Sequence, residues 1–155
     1  MTPRKLLTIA VLVAVLGFGY YSMNAAPVLS NHEYTYQGGL EWNEDPEEAI
    51  SVAEQRDKPV LVYYWTTWCT YCQTYDEEHY QDETVRDVLE EYVLLAINLD
   101  EPGAGRDLAV EHGANYPPQH VIITHDREEV SELGGYVERD RFLEELRRGL
   151  DSAAT

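Results

Sequence analysis

Three apolar runs of strand length stand out along the chain: residues 59–65 (PVLVYYW), 92–99 (YVLLAINL) and 120–124 (HVIIT). None alternates with polar residues, so each reads as a strand buried on both faces. Between them the apolar spacing turns helical. Ala49, Ile50 and Ala53 share one face of a helix running to about Arg56, with Asp45 as N-cap, Pro46 in the first turn and Glu48 reaching back in a capping box. A helix from Cys69 to about Tyr80 breaks near Gln81-Asp82. Asp82 or Thr84 then caps a second piece that buries Val85, Val88 and Leu89. Residues 103–112 form a short helix ending on Gly113, and Tyr116-Pro117-Pro118 is a turn. His125-Asp126-Arg127 turns the third strand into a hairpin with residues 130–133, and Gly134-Gly135 breaks the chain again. Residues 138–150 close it as a helix with Phe142, Leu143, Leu146 and Leu150 on its apolar face. With a short strand at Leu40-Glu41-Trp42, early strands alternate with helices and the last two form a hairpin. That order predicts an α/β domain with a mixed central sheet flanked by helices on both faces. No internal repeat appears.

The first residues follow another pattern. Arg4 and Lys5 precede residues 6–21 (LLTIAVLVAVLGFGYY), which are free of charge. This is the layout of a signal peptide or signal anchor. Small residues suited to a cleavage site are poorly spaced: Met23 stands two places before Ala25, and Asn24 two places before Ala26. Extending the apolar run to Ala26 gives about 20 residues, enough to span a bilayer. The expectation is an uncleaved anchor over residues 1–26 with Arg4 and Lys5 in the cytoplasm, which puts the domain on the extracytoplasmic side of the cell membrane. Secretion after cleavage is the alternative. Residues 27–38 then read as a linker, 39–150 as the domain and 151–155 as a tail.

Composition adds one feature. The 155 residues contain 29 acidic and 11 basic side chains, a net charge of −18. After residue 26 only nine basic residues remain, the eleven less Arg4 and Lys5, against all 29 acids. Such a surface repels polyanions, which rules against a nucleic-acid partner. Two readings stay open: adaptation to high salt, where screening relieves carboxylate repulsion, or a merely acidic exterior.

Cys69 and Cys72 are the only cysteines, three apart in YYWTTWCTYCQ. A closed zinc site needs four ligands, and the histidines (His32, His79, His112, His120, His125) offer no second pair on one element. A structural disulfide around two residues removes little chain entropy. Redox chemistry fits best. Cys69 follows a strand and opens a helix, where the helix end stabilises a thiolate. Cys72, one turn on, shares its face. Cys69 can attack a disulfide and Cys72 can resolve the mixed disulfide. No flavin or nicotinamide motif is present, so the pair itself is the redox group and no further cofactor is expected.

Trp42, the Glu47-Glu48-Ala49 helix start, Lys58-Pro59-Val60 and Trp68-Cys69-Thr70-Tyr71-Cys72 together resemble the thioredoxin-like superfamily over about residues 38 to 150. They are similar in particular to its exported or membrane-tethered members and to the C-terminal domain of transmembrane thiol:disulfide interchange proteins. The resemblance implies a thioredoxin fold, with Asn98-Leu99-Asp100 ending the next strand. It implies that Pro118 is a cis-proline packed against the cysteines, in a docking surface with Trp68, Tyr116 and Pro117. Departures accompany it. Tyr63 stands where the family usually buries an Asp, and Ala96 where it places a Lys, which leaves the proton acceptor of Cys72 open between water and Tyr63. Pro117 lacks the N–H that the family offers to a bound peptide.

Trp65 reads as core and Trp68 as a partly exposed wall of the docking surface. Thr70 and Tyr71, uncharged between the cysteines, cannot favour a thiolate electrostatically. Asp76, Glu77 and Glu78 read as a solvated face that pushes weakly toward a reducing pair, and His79 as a surface residue. The reading is a membrane-tethered thiol–disulfide oxidoreductase acting on exported protein thiols and disulfides, served by a membrane electron donor or acceptor. A disulfide oxidase or isomerase is the redox alternative. A non-catalytic binding module using Trp68 and Tyr116 is the alternative of another class. If the charge is an adaptation to salt, the melting temperature rises with salt up to molar concentration; a melt indifferent to salt assigns it to a merely acidic exterior.

Overall fold

The computed structural model describes residues 36–154. The anchor expected over residues 1–26 and most of the linker lie outside the described residues. Among those described, no helix is long and apolar enough to cross a membrane. The elements are α1 (Pro46–Arg56), β1 (Val60–Trp65), α2 (Thr70–Thr74), which runs on through a π-helical turn (Tyr75–His79), and α3 (Glu83–Leu89). Then come β2 (Val93–Asn98), α4 (Ala104–Glu111), β3 (Gln119–Ile123), β4 (Glu129–Gly134) and α5 (Arg139–Ala153). The sheet order is β2-β1-β3-β4. β1 pairs parallel with β2 and antiparallel with β3, and β3 pairs antiparallel with β4. This is the mixed sheet that the strand–helix alternation predicts.

β1 is interior to the sheet and covered on both sides, which is why its sequence is apolar without alternation. Val60, Val62 and Tyr64 point into one core with Ala49, Ile50 and Ala53 of α1 and Leu108 and Ala109 of α4. Leu61 and Tyr63 point into the other, with Cys72, Tyr75 and Tyr80 from the α2 segment, Val85 and Leu89 from α3, and Phe142 and Leu146 from α5. The caps follow the sequence: Asp45 Oδ1 accepts from the Glu48 amide at 2.9 Å, and Asp82 Oδ1 accepts from those of Thr84 and Val85. The expected strand at residues 40–42 reduces to a single bridge between Asn43 and Leu95.

Residues 36–38, the end of the expected linker, belong to the packed body. The turn Tyr36–Gly39 carries buried Gly38, whose carbonyl accepts from Gln81 Nε2 at 2.9 Å and Arg86 Nη2 at 2.6 Å. Trp42 Nε1 donates to the Gln37 carbonyl. Gly38 has φ +62°, and a Cβ there would lie 2.3 Å from the Tyr80 Cβ. Both the backbone region and the close approach demand glycine. Gly38→Ala is expected to lower unfolding free energy by about 2 kcal/mol or more in urea titration; an unchanged midpoint would show that the turn is not part of the cooperative unit.

Candidate active site

β1 ends at Trp65, and Thr66-Thr67-Trp68 carries the chain to Cys69 at the head of α2. Cys69 caps the helix itself: its Sγ accepts from the Cys72 amide at 3.1 Å. The two cysteines form a disulfide. Cys69 is 5% exposed and Cys72 1% exposed, so both are buried and Cys69 is the less covered of the two.

The surface around the pair is aromatic. Trp68 is 66% exposed, Tyr71 58% and Tyr116 64%. Trp68 is not loose, because its Nε1 donates to Asp100 Oδ2 at 2.9 Å. Parallel pairing sets Trp65 beside Asn98, so the chain leaving β2 reaches the level of the cysteine loop two residues later. That adjacency of strand ends was the available signal for Asp100, which sequence reasoning did not assign to Trp68. Tyr71 stacks on Tyr136 with ring centroids 5.5 Å apart. Thr70 is exposed. Trp65 is half-buried rather than full core, because Tyr36 is its cover, 5.2 Å away.

The Pro117–Pro118 peptide bond is cis. Tyr64 pairs with Gln119 across β1 and β3. Pro118, the residue before, therefore lies at the end of the sheet where β1 runs on toward the cysteines. Pro118 is buried, Pro117 half-buried, and the Pro118 carbonyl accepts from the Gly135 amide at 2.8 Å. The structure thus brings Trp68, Cys69, Cys72 and the Tyr116-Pro117-Pro118 turn to one end of the sheet.

Two expectations fail on the helix after Cys72. Asp76 is not part of a solvated face and His79 is not a surface residue; both are buried. The reason is phase. Positions 76 and 79 are four and seven residues beyond Cys72, on the face the helix buries with Tyr75 and Tyr80, whereas Glu77 and Glu78 turn outward and are exposed. Reading residues 76–78 as one charge block hid this. In the π-helical turn the Tyr80 amide bonds to the Tyr75 carbonyl at 2.9 Å. His79 Nε2 donates to the Val137 carbonyl at 2.8 Å, and burial lowers its pKa.

Beneath the pair, Tyr63 is fully buried. Its register partner on β3 is His120, and the two rings stack with centroids 4.8 Å apart and planes 9° apart. Tyr80 Oη and His120 Nε2 are hydrogen-bonded at 2.7 Å. His120 also packs on Tyr75 at 4.7 Å and Phe142 at 4.9 Å. Burial pushes the His120 pKa down to about 3 and that of Tyr80 well above the ordinary tyrosine value. A second pair, Tyr64 Oη and His112 Nδ1 at 2.7 Å, lies on the other face of the sheet. Neither pair was legible beforehand, because the partners are 40 and 48 residues apart in sequence. Among the described residues, no group of three or more His, Cys, Asp or Glu is placed to hold a metal ion.

A mixed sheet whose central strand delivers a two-residue-spaced cysteine pair to a helix N-terminus, with a cis-proline at the same end, defines a thiol–disulfide oxidoreductase. The thioredoxin-like family model matches residues 41–124, and the chain belongs to that family. It is similar to the thiol:disulfide interchange protein DsbD 1 of Pseudomonas aeruginosa, 30% identical over 103 residues, 64% of this chain and 17% of that protein. The chain spans less than a fifth of the length of the curated relatives it matches. A thioredoxin from Thermus thermophilus is 31% identical with a TM-score of 0.63, covering 70% of this chain and 85% of that one. The oxidised C-terminal domain of Neisseria meningitidis DsbD superposes with a TM-score of 0.60 over 70% of this chain and 99% of that one. At 20% identity that last likeness is one of fold.

The buried imidazole makes stability depend on pH. An unfolded chain protonates His120 near pH 6.5, while the folded chain resists to about pH 3. Between those values the unfolded state binds the extra proton, so stability is lost as pH falls. His120 alone contributes about 1.4 kcal/mol per pH unit across that window. His120→Phe is expected to flatten the pH dependence of the urea-unfolding free energy by that slope; parallel curves for parent and variant would show that folding does not depress the imidazole.

Proposed function

We propose that this domain reduces disulfides of exported proteins on the extracytoplasmic side of a membrane, tethered by residues 1–26 and recharged by a membrane electron donor. The observation that supports the exchange chemistry is the bonded pair at a helix start: Cys69 caps the helix next to exposed Trp68, and Cys72, one turn on, is the more deeply buried of the two. The Cys69 thiolate attacks a client disulfide, forming a mixed disulfide and releasing one client thiolate. Cys72 then attacks Cys69 Sγ, which releases the second client sulfur and leaves the Cys69–Cys72 disulfide. Client backbone rests across Trp68, Tyr71, Tyr116 and cis-Pro118, and the missing N–H of Pro117 removes one bond that a peptide would otherwise receive.

The lean toward reduction is electrostatic. Thr70 and Tyr71 place no cation between the cysteines, and Asp100 stands against Trp68, the residue before Cys69. Negative charge near Cys69 disfavours its thiolate, and a less acidic thiol makes the disulfide harder to reduce and the dithiol a better donor. The tether and the export address rest on Arg4, Lys5 and the uncharged run after them, and interchange partners are supported by the names of the relatives.

The full-length chain carrying Cys72→Ser is expected to accumulate mixed disulfides with client proteins through Cys69, visible as larger species that collapse on reduction. The Cys69→Ser, Cys72→Ser double variant should show none. If no such species forms under oxidising or reducing conditions, and insulin disulfides are not reduced, the exchange reading fails. The reduction potential of the pair decides direction: a value below about −200 mV fits a reductase, and one near the strongly oxidising end of the known range assigns an oxidase.

A further inference from the structure

In the exchange cycle Cys72 must lose its proton before it attacks, because the thiolate is the nucleophile. Cys72 is 1% exposed, and burial in apolar surroundings disfavours its thiolate. Bulk water has little access to that sulfur, so the groups that share its pocket matter. Cys72 lies in one buried cluster with Tyr63, Tyr75 and Tyr80. One side chain packs on all three of those rings and carries a nitrogen base: His120. It is 2% exposed. Its Nε2 is engaged by Tyr80 Oη, and its Nδ1 makes no hydrogen bond among the described residues.

We propose that the Tyr80–His120 pair handles the proton of Cys72 during resolution of the mixed disulfide. This rests on the dithiol-exchange reading above. The S–H bond of Cys72 breaks and the imidazole of His120 takes the proton. Cys72 Sγ forms a bond to Cys69 Sγ, the bond between Cys69 and the client sulfur breaks, and the client leaves with the electron pair as a thiolate. The imidazole then returns its proton to solvent or to the departing thiolate. A neutral imidazole has one donor and one acceptor nitrogen, and the Tyr80 hydroxyl can bond to either form of Nε2. With Nε2–H donating to Tyr80 Oη, the free lone pair is at Nδ1, and uptake of the proton there gives an imidazolium that keeps its bond to Tyr80.

The low basicity of resting His120 is consistent with this role. Burial penalises an imidazolium and a thiolate separately, but each relieves the other when they form together. The other titratable groups facing His120 are Tyr63 from β1, and Tyr75, His79 and Tyr80 from the α2 segment, with Asp76 of that segment acting on Tyr80. From α5, Glu145 lines the same small void as His120 and Ser131. Glu145 is already held by Ser131 Oγ and by Arg148, with Arg141 at 3.8 Å. His79 has its Nε2–H committed to the Val137 carbonyl. His79, like His120, has an Nδ1 with no hydrogen bond among the described residues, but of the three tyrosines clustered with Cys72 its ring contact is with Tyr75, whereas His120 packs on Tyr63, Tyr75 and Tyr80.

The test is a titration of the reduced full-length chain, with the Cys72 Cβ and the His120 ring nitrogens followed by NMR. The two signals are expected to move over the same pH range, and His120→Leu is expected to raise the apparent Cys72 pKa by about one unit or more, a tenfold effect on thiolate population. Tyr80→Phe, which removes only the hydroxyl, should shift it in the same direction by less. In single-turnover reduction of a peptide disulfide, decay of the mixed disulfide should slow about tenfold near neutral pH and converge on the parent rate above the thiol pKa. The first attack by Cys69, followed by its alkylation rate, should not change. A Cys72 titration curve unmoved in both variants overturns the proposal, and Tyr80→Phe alone decides it if His120→Leu does not fold. The titration needs no client, so it separates this failure from a parent chain that reduces no disulfide.

Discussion

Burial of β1 on both faces is the constraint on which the rest of the structure depends. A strand with Val60, Val62 and Tyr64 in one core and Leu61 and Tyr63 in the other has no polar side to leave free. Its main-chain groups must be satisfied by neighbours on both edges, which β2 and β3 provide. Helices must then cover both faces. Once that is arranged, the C-terminal end of β1 is a fixed platform. The cysteine loop, the end of β2 with Asp100 and the turn before β3 with cis-Pro118 all arrive at it, so the site is assembled by the sheet.

The helix that begins at Cys69 then links surface to interior. Its outward residues, Thr70 and Tyr71, belong to the aromatic rim. Its inward residues, Cys72, Tyr75, Asp76, His79 and Tyr80, form a continuous buried face. Tyr80 joins three things at once: it bonds His120 through its hydroxyl, packs on Trp42, and leaves room at its Cβ only for Gly38. The close packing of the residue-36 turn is in this way tied to the ring system under the disulfide.

How much of this was legible depended on sequence distance. The four strands of the sheet, the caps at Asp45 and Asp82 and the helix-opening Cys69 are written in local runs and spacings and appear in the structure within a residue or two, whereas the short strand expected at residues 40–42 does not. The cis-Pro118 came from resemblance, through Tyr116-Pro117-Pro118 before a strand. The buried Asp76 and His79 were available through helix phase counted from Cys72, but a run of three acids masks that phase. The Tyr80–His120 bond was not available in any local pattern. It requires knowing that β3 lies antiparallel to β1 with His120 opposite Tyr63, and no single-sequence signal sets that register.

The two cysteines stand in different surroundings, Cys69 next to exposed Trp68 and Cys72 in the buried ring cluster. In the proposed exchange Cys69 is the sulfur that meets the client, so its reactivity answers to what lies outside: Trp68 held by Asp100, Tyr71 on Tyr136, and a chain with 29 acids. Salt can screen part of that field. Cys72 is 1% exposed, so its reactivity answers more to the pocket, where screening is weak and each dipole counts for more. A buried carboxylate in the position of Tyr63 would put an anion into this pocket, on a protein whose Glu77 and Glu78 already face outward on the adjoining segment. A tyrosine stacked on a neutral imidazole adds hydrogen-bonding capacity without adding charge at rest. For an acidic protein this matters, because every further internal anion would work against forming a thiolate at Cys72. Tyr63, which looks like a gap when read against the family pattern, is the ring on which His120 of the proposed Tyr80–His120 pair stacks.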